Sequence, residues 1–214
     1  MKAVIFDLDG VVVNTAKYHY LAWKKLAGDL GFDFDIRHNE RLKGVSRMES
    51  LNIVLEVGGI TGYSQEQKEE LADRKNQYYL TMIENLDQSE ILPGIPEFLD
   101  KIRNAGYKTA LGSASKSGGM ILRKLGLESK FDVIVDGNLV EKPKPDPEGF
   151  VKGAQLLNIP CEECIVVEDA KAGVEAAHAG HMKCIGIGDP MILGEAEKVV
   201  NSTEELVTVD LEHI

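Results

Sequence analysis

The stretch Val4-Ile5-Phe6-Asp7-Leu8-Asp9-Gly10-Val11 carries three apolar residues into two aspartates one residue apart and then a glycine. A short apolar run of this kind reads as a strand buried on both faces, and Gly10 is where the chain can turn out of it. Asp7 and Asp9 therefore stand at the carboxyl end of the strand, the edge at which open parallel sheets hold their ligands. Alternation along an extended chain turns both carboxylates the same way and Leu8 into the core. Two neighbouring carboxylates repel, so folding keeps them only with a cation between them or a shared proton.

The chain has 214 residues, enough for one large domain or for a core domain with a smaller insertion, and 43% of them are hydrophobic. Its formal net charge of -11 argues against nucleic acid as a partner, so an anionic substrate must be met by a few cations gathered locally. No apolar run approaches the roughly 18 residues of a membrane span, and Met1-Lys2-Ala3 leads straight into the first strand. The expectation is a cytoplasmic protein, a monomer with no membrane partner. Cys161, Cys164 and Cys184 cannot make a complete disulfide framework. The spacing of Cys161 and Cys164 suits a metal or redox pair, but Cys164 leads into the apolar run Ile165-Val166-Val167 instead of opening a helix, so the cysteines read as structural.

From Asn14 the pattern turns helical. Leu21, Ala22, Leu26 and Leu30 mark one face with Trp23 adjoining it; Ser46 with Glu49 and Ser64 with Gln67 read as capping boxes. Leu71, Tyr78, Tyr79, Met82, Ile83 and Leu86 predict a long amphipathic helix. After Pro93-Gly94 the chain alternates. Strands are expected at Lys108-Leu111, Val133-Val135, Ile165-Val167 and Cys184-Ile187, with a weak last one near Val207-Thr208-Val209, and helices between them. That order predicts an α/β fold: a Rossmann-like parallel sheet core over residues 1–13 and 88–214, with an all-helical cap domain, residues 14–87, inserted after the first strand.

Three strands finish in polar residues whose chemistry converges. Asp7 and Asp9 follow the first, Ser113 the second, and Glu168 and Asp169 a later one. Mg²⁺ prefers oxygen ligands and keeps some of its waters, so one carboxylate from each of two strands plus a phosphate oxygen would suit it. In Lys142-Pro143-Lys144-Pro145-Asp146-Pro147 the prolines limit where an ammonium can point, and positive charge is what a phosphoryl group under attack by a carboxylate requires.

Asp-Leu-Asp-Gly-Val at 7–11 with Thr15, Ser113, the string from Lys144 to Phe150, and Glu168-Asp169 together resemble, in order, the four motifs of the haloacid dehalogenase-like phosphotransferases. The resemblance implies that Asp7 attacks phosphorus and forms an aspartyl phosphate, that Asp9 is general acid and base, and that Ser113 and Lys144 hold the transferring phosphoryl group. It further implies Mg²⁺ on the side chains of Asp7 and Asp169 and the backbone carbonyl of Asp9, with Glu168 supporting the cluster.

Further residues resemble the sugar-phosphate mutases of that superfamily: Thr15 and His19 with Trp23 one turn on, the loop Lys43-Gly44-Val45-Ser46-Arg47, Lys75 within Arg74-Lys75-Asn76, and Ser113-Ala114-Ser115-Lys116 continuing to Ser117. The implied roles are a loop whose Arg47 holds the phosphate that is not reacting, and His19 and Lys75 helping the closed form assemble. The implied reaction interconverts β-glucose 1-phosphate and glucose 6-phosphate, primed by glucose 1,6-bisphosphate. A mutase must let a bisphosphate turn around in a site closed to water, and a helical insert joined at two points can act as that lid. Asn14 stands where the family commonly has Asp, and Ser117 where Asn would follow Lys116. The alternative on the same scaffold is a Mg²⁺-dependent sugar-phosphate or phosphoglycolate-type phosphatase, in which Asp9 would act the same way; intact Asp7, Asp9, Ser113, Lys144 and Asp169 argue against a non-catalytic binding protein.

Overall fold

The computed structural model describes residues 1–43 and 45–214, so the expectation for Gly44 lies outside the described residues. Six parallel strands form one sheet in the order β3-β2-β1-β4-β5-β6. They are β1 (Ala3–Phe6), β2 (Lys108–Gly112), β3 (Val133–Val135), β4 (Cys164–Glu168), β5 (Lys183–Ile187) and β6 (Lys198–Val200). Five α-helices separate β1 from β2 among the described residues, and the first four make up the insertion: α1 (Ala16–Asp29), α2 (Ile36–Asn39), α3 (Arg47–Val57) and α4 (Gln65–Met82). The remainder alternate with strands: α5 (Ile95–Asn104), α6 (Gly118–Lys124), α7 (Glu148–Leu157), α8 (Lys171–Ala179) and α9 (Pro190–Leu193).

β1 is buried throughout because helices cover both sides of it. Val4 and Phe6 face α5 and α6, packing with Phe98, Leu99, Ile102 and Ile121. Ala3 and Ile5 face the other way, against Phe150 and Ala154 of α7 and Val174 and Ala177 of α8. Phe6 meets Phe98 and Phe131 edge-on, with centroids 5.9 and 5.8 Å away, and each such ring pair adds about 0.5–1.5 kcal/mol beyond burial. The four inserted helices have a separate core around Trp23, Leu26, Phe34, Leu51, Val54 and Leu71. Their two connections to the sheet are joined to each other: Val13 bridges Ile91, and the Asn14 and Leu92 amides donate to Glu90 and Val12 carbonyls.

Some expectations need correction. Val207 to Val209 form no strand; Thr203–Thr208 is a 3₁₀ segment, and the last strand is Lys198–Val200 beside β5. Turn chemistry decides here, since Glu205 accepts from the Asn201 amide and side chain while the Thr203 hydroxyl donates to the Pro93 carbonyl. Leu21 is exposed, and the buried face of α1 is Ala22, Trp23, Leu26 and Ala27. α4 stops at Met82, leaving Leu86 in the following turn. The Ser64 capping box closes in both directions; at Ser46 the hydroxyl accepts from the Glu49 amide. All three cysteines are free thiols, and burial pushes Cys164 up to about 12, which suits an unreactive core residue.

Because the chain leaves β1 towards β2 and later crosses to β4 on the other side, the switch point of the sheet lies between β1 and β4, where Asp7 and Asp169 emerge. Gly10 makes the turn there at φ +90°, and a Cβ on it would lie 2.4 Å from Asp169 Oδ2. Gly10→Ala is therefore expected to lower stability by about 1–2 kcal/mol from its backbone conformation alone and to displace Asp169. A thermal unfolding midpoint equal to the parent's would contradict this close approach.

Candidate active site

At the centre lies the Lys144 ammonium, delivered by the loop between β3 and α7. It sits 2.6 Å from Asp7 Oδ1, 2.5 Å from Glu168 Oε1 and 4.6 Å from the Phe150 ring centre. Burial alone would weaken its hold on the proton, but Asp7 and Glu168 outweigh that, and the group stays a cation above its ordinary range. The second Glu168 oxygen accepts from the Asp169 and Ala170 amides, each at 2.7 Å. Gly173 permits this, since a Cβ there would fall 2.0 Å from the Glu168 carboxyl. Both Glu168 oxygens thus have protein partners, Lys144 on one side and the Asp169 turn on the other.

Asp169 lies over Gly10. Burial, then Glu168 and Asp7, push its pKa well up, while Lys43 from the cap and Lys144 oppose the rise. Negative charge is therefore in excess between β1 and β4. Two side-chain carboxylates with the Asp9 carbonyl form a donor set of the kind magnesium accepts, its other positions going to water and phosphate oxygen. No group of three or more His, Cys, Asp or Glu side chains that could hold a metal is found among the described residues, so the fit rests on the chemistry of these donors. The site fits the ion.

Asp9 Oδ1 accepts from the Thr15 hydroxyl at 2.5 Å and lies 3.6 Å from His19 Nε2. Burial and the Asp7 charge raise its pKa to about 6, which suits a group that must both give and take a proton near neutrality. His19 Nδ1 is 2.8 Å from the Lys75 ammonium, and burial with the Lys75 and Arg47 charges keeps the ring neutral. With Nδ1 accepting from Lys75, the imidazole proton is on Nε2, facing Asp9. Lys75 is itself buried beneath Trp23, 4.8 Å from that ring, and burial with Arg47 lowers it to about 7.

A cavity of about 500 Å³ lies between the sheet edge and the inserted helices, within the size range of small-ligand sites. From the core it is lined by Asp7, Asp9, Ser113 to Ser117, Lys144, Glu168 and Asp169. From the helices it is lined by His19, Trp23, Lys43, Val45 to Arg47 and Lys75. Thr15 stands behind Asp9 instead of in the wall. Ser113 Oγ accepts from the Ser115 amide at 3.1 Å, and Ser115 Oγ from the Ser117 amide at 3.3 Å, bonds that fix both hydroxyls on a loop lining the cavity. Arg47 is steadied by Asn76 Oδ1 at 3.0 Å and Asp73 at 3.4 Å.

Sequence reasoning missed some of the wall. Asn39, Ser50, Asp73, Glu141 and Tyr79 also line the cavity. Helical spacing could have found two of them, since Ser50 follows Arg47 by three residues and Tyr79 follows Lys75 by four.

Residues 1–181 match the haloacid dehalogenase-like hydrolase family. The chain is 42% identical over 214 residues to the β-phosphoglucomutase of Bacillus subtilis, covering all of this chain and 94% of that one. It is 32% identical over 199 residues to a phosphorylated carbohydrates phosphatase of Thermotoga maritima, covering 92% of this chain and 89% of that one. Among solved structures, the β-phosphoglucomutase of Clostridium difficile superimposes with a TM-score of 0.92 at 42% identity, over 100% of this chain and 95% of that one. With the four motifs meeting at the switch point of the sheet, the chain belongs to the haloacid dehalogenase-like hydrolase family.

Proposed function

We propose that this enzyme is a β-phosphoglucomutase, interconverting β-D-glucose 1-phosphate and D-glucose 6-phosphate by way of β-glucose 1,6-bisphosphate. The observation that carries the reading is the pairing of anion-binding groups across one cavity: Lys144 and Ser113 on the core, Arg47 on the cap. A phosphatase needs one such site; a bisphosphate that must react from either end needs two. The 42% identity to relatives named for this activity supports the same reading, whereas the phosphatase relative is more distant.

In this reading the Asp7 carboxylate attacks a phosphorus of the bisphosphate, bonding to phosphorus as the bond to the sugar oxygen breaks. Asp9 gives its proton to that oxygen and later takes one from the hydroxyl that accepts the phosphoryl group back. Magnesium, held by the Asp7 and Asp169 carboxylates and the Asp9 carbonyl, would supply positive charge against the phosphoryl oxygens. Lys144 adds a fixed cation on the same side, and Ser113 and Ser115 offer hydroxyls. Arg47 anchors the idle phosphate, while the cap helices exclude the water that would hydrolyse the aspartyl phosphate.

The direct experiment supplies β-glucose 1-phosphate, magnesium and a trace of bisphosphate, and measures glucose 6-phosphate against inorganic phosphate. Isomer should dominate; phosphate without isomer would favour the phosphatase. Asp7→Asn is expected to lower turnover by at least about 10⁴-fold, because in this reading the Asp7 carboxylate is the group that carries the phosphoryl. Arg47→Ala is expected to raise KM by about 10- to 100-fold, the loss of one charged hydrogen bond, while sparing the chemistry at Asp7; unchanged kinetics would remove the second anion site. For Lys75, the unfolded chain binds its proton up to about pH 10.5 but the folded one only to about 7, so the cost of burying it is complete below that window and fades as pH rises through it. Lys75→Met should gain stability over the parent, by a margin largest below about pH 7 and shrinking towards about pH 10 in denaturant titrations.

A further inference from the structure

Tyr79 lies on α4 one turn beyond Lys75, on the cavity wall, with only 1% of its surface exposed. Its ring stacks on the His19 imidazole, centroids 4.0 Å apart and planes 23° from parallel, with the Lys75 ammonium 5.2 Å from its centre. The ring is thus fixed on two sides. Its hydroxyl is not: it is buried and finds no hydrogen-bond partner among the described residues. The Ser115 side chain comes close without reaching hydrogen-bond geometry.

Three other buried side-chain atoms lack a hydrogen bond, but each has an ion-pair partner. His38 Nδ1 has Asp35 at 3.1 Å, Glu90 Oε2 has Lys17 at 2.7 Å, and Glu163 Oε2 has Lys2 at 2.8 Å. None of those atoms belongs to a residue lining the cavity. Tyr79 alone combines an orphaned polar atom with a place in the wall. A buried hydroxyl left without a partner costs about 1–3 kcal/mol, and folded proteins keep such groups where water or a ligand completes them.

The chemistry of the missing partner follows from what surrounds the hydroxyl. Burial and the nearby Asp9 charge drive the phenol above its usual range, so it remains a neutral donor. Anionic oxygens in the same cavity already have Lys144 and Arg47 to meet them. The part of a sugar phosphate that those two cations leave unmet is its uncharged ring hydroxyls, which a neutral donor can serve.

We propose that the Tyr79 hydroxyl is a substrate contact, donating a hydrogen bond to one ring hydroxyl of the bound sugar phosphate and selecting for sugars that carry it. The proposal rests on the sugar-phosphate reading of the cavity, though not on the mutase step itself. A sugar without that hydroxyl would leave the phenol unpaired in a closed site, which is how a buried polar group discriminates.

The test is a binding titration of the parent and Tyr79→Phe with glucose 6-phosphate and its 1-, 2-, 3- and 4-deoxy forms. Phenylalanine keeps the ring against His19, so packing is preserved. The variant should bind glucose 6-phosphate about tenfold more weakly, the effect of one neutral hydrogen bond, and this deficit should vanish for only one of the four deoxy sugars. Equal affinity of parent and variant for every sugar, or one deficit common to all five, would overturn the contact. A parent that binds but forms no isomer would overturn the mutase reading alone; a parent that binds none of the five would overturn both.

Discussion

A buried ammonium between two buried carboxylates is the interaction on which this site depends. Lys144 ties the loop before α7 to the ends of β1 and β4 through Asp7 and Glu168. Such an arrangement adds little to stability for the trouble of desolvating three charges, yet removing one partner typically costs about 3–5 kcal/mol because the others stay buried. Its value is placement. Glu168 holds the Asp169 turn by two amides, Gly173 leaves room for that carboxyl, and Gly10 leaves room for Asp169, so positions far apart in the chain determine one another.

The cavity is electrostatically unfinished in both signs. Asp9 and Asp169 are pushed up by burial and by neighbouring carboxylates, while Lys75 and His19 are pushed down by burial and neighbouring cations. A phosphorylated ligand with a divalent cation offers both missing charges. Binding then relieves both the acidic edge of the sheet and the basic face of the cap, which gives closure of the cap over substrate a physical cause. The two connections that carry the inserted helices are joined to each other near Val13 and Ile91.

Much of this is legible in the sequence where one chemical signal overrides the rest. Apolar runs ending in acids place Asp7, Asp9, Glu168 and Asp169 at strand ends, whereas Lys144 is told from Lys142, which also precedes a proline, only by the resemblance of the string from Lys144 to Phe150 to a family motif. The last strand is misplaced because Val207 to Val209 has the branched residues of a strand, but the Asn201 to Glu205 contacts turn that segment first. Leu21 reads as inward because periodicity gives the phase of a helix only to within a residue or so. Tyr79 reads as apolar packing, and its ring does join the main core, but the residue also lines the cavity and its buried hydroxyl has no hydrogen-bond partner among the described residues. Helical spacing shows which residues share a face, not which partner another element brings to them.

The central claim is that one ligand is held by its two phosphates, one on the sheet and one on the cap. A crystal structure of Asp7→Asn with glucose 1,6-bisphosphate and magnesium tests it most directly. The account requires one phosphate beside residue 7, Ser113 and Lys144 and the other against the Arg47 guanidinium, with the sugar enclosed between them. A distal phosphate projecting into solvent, with Arg47 still held by Asp73 and Asn76 alone, would contradict it.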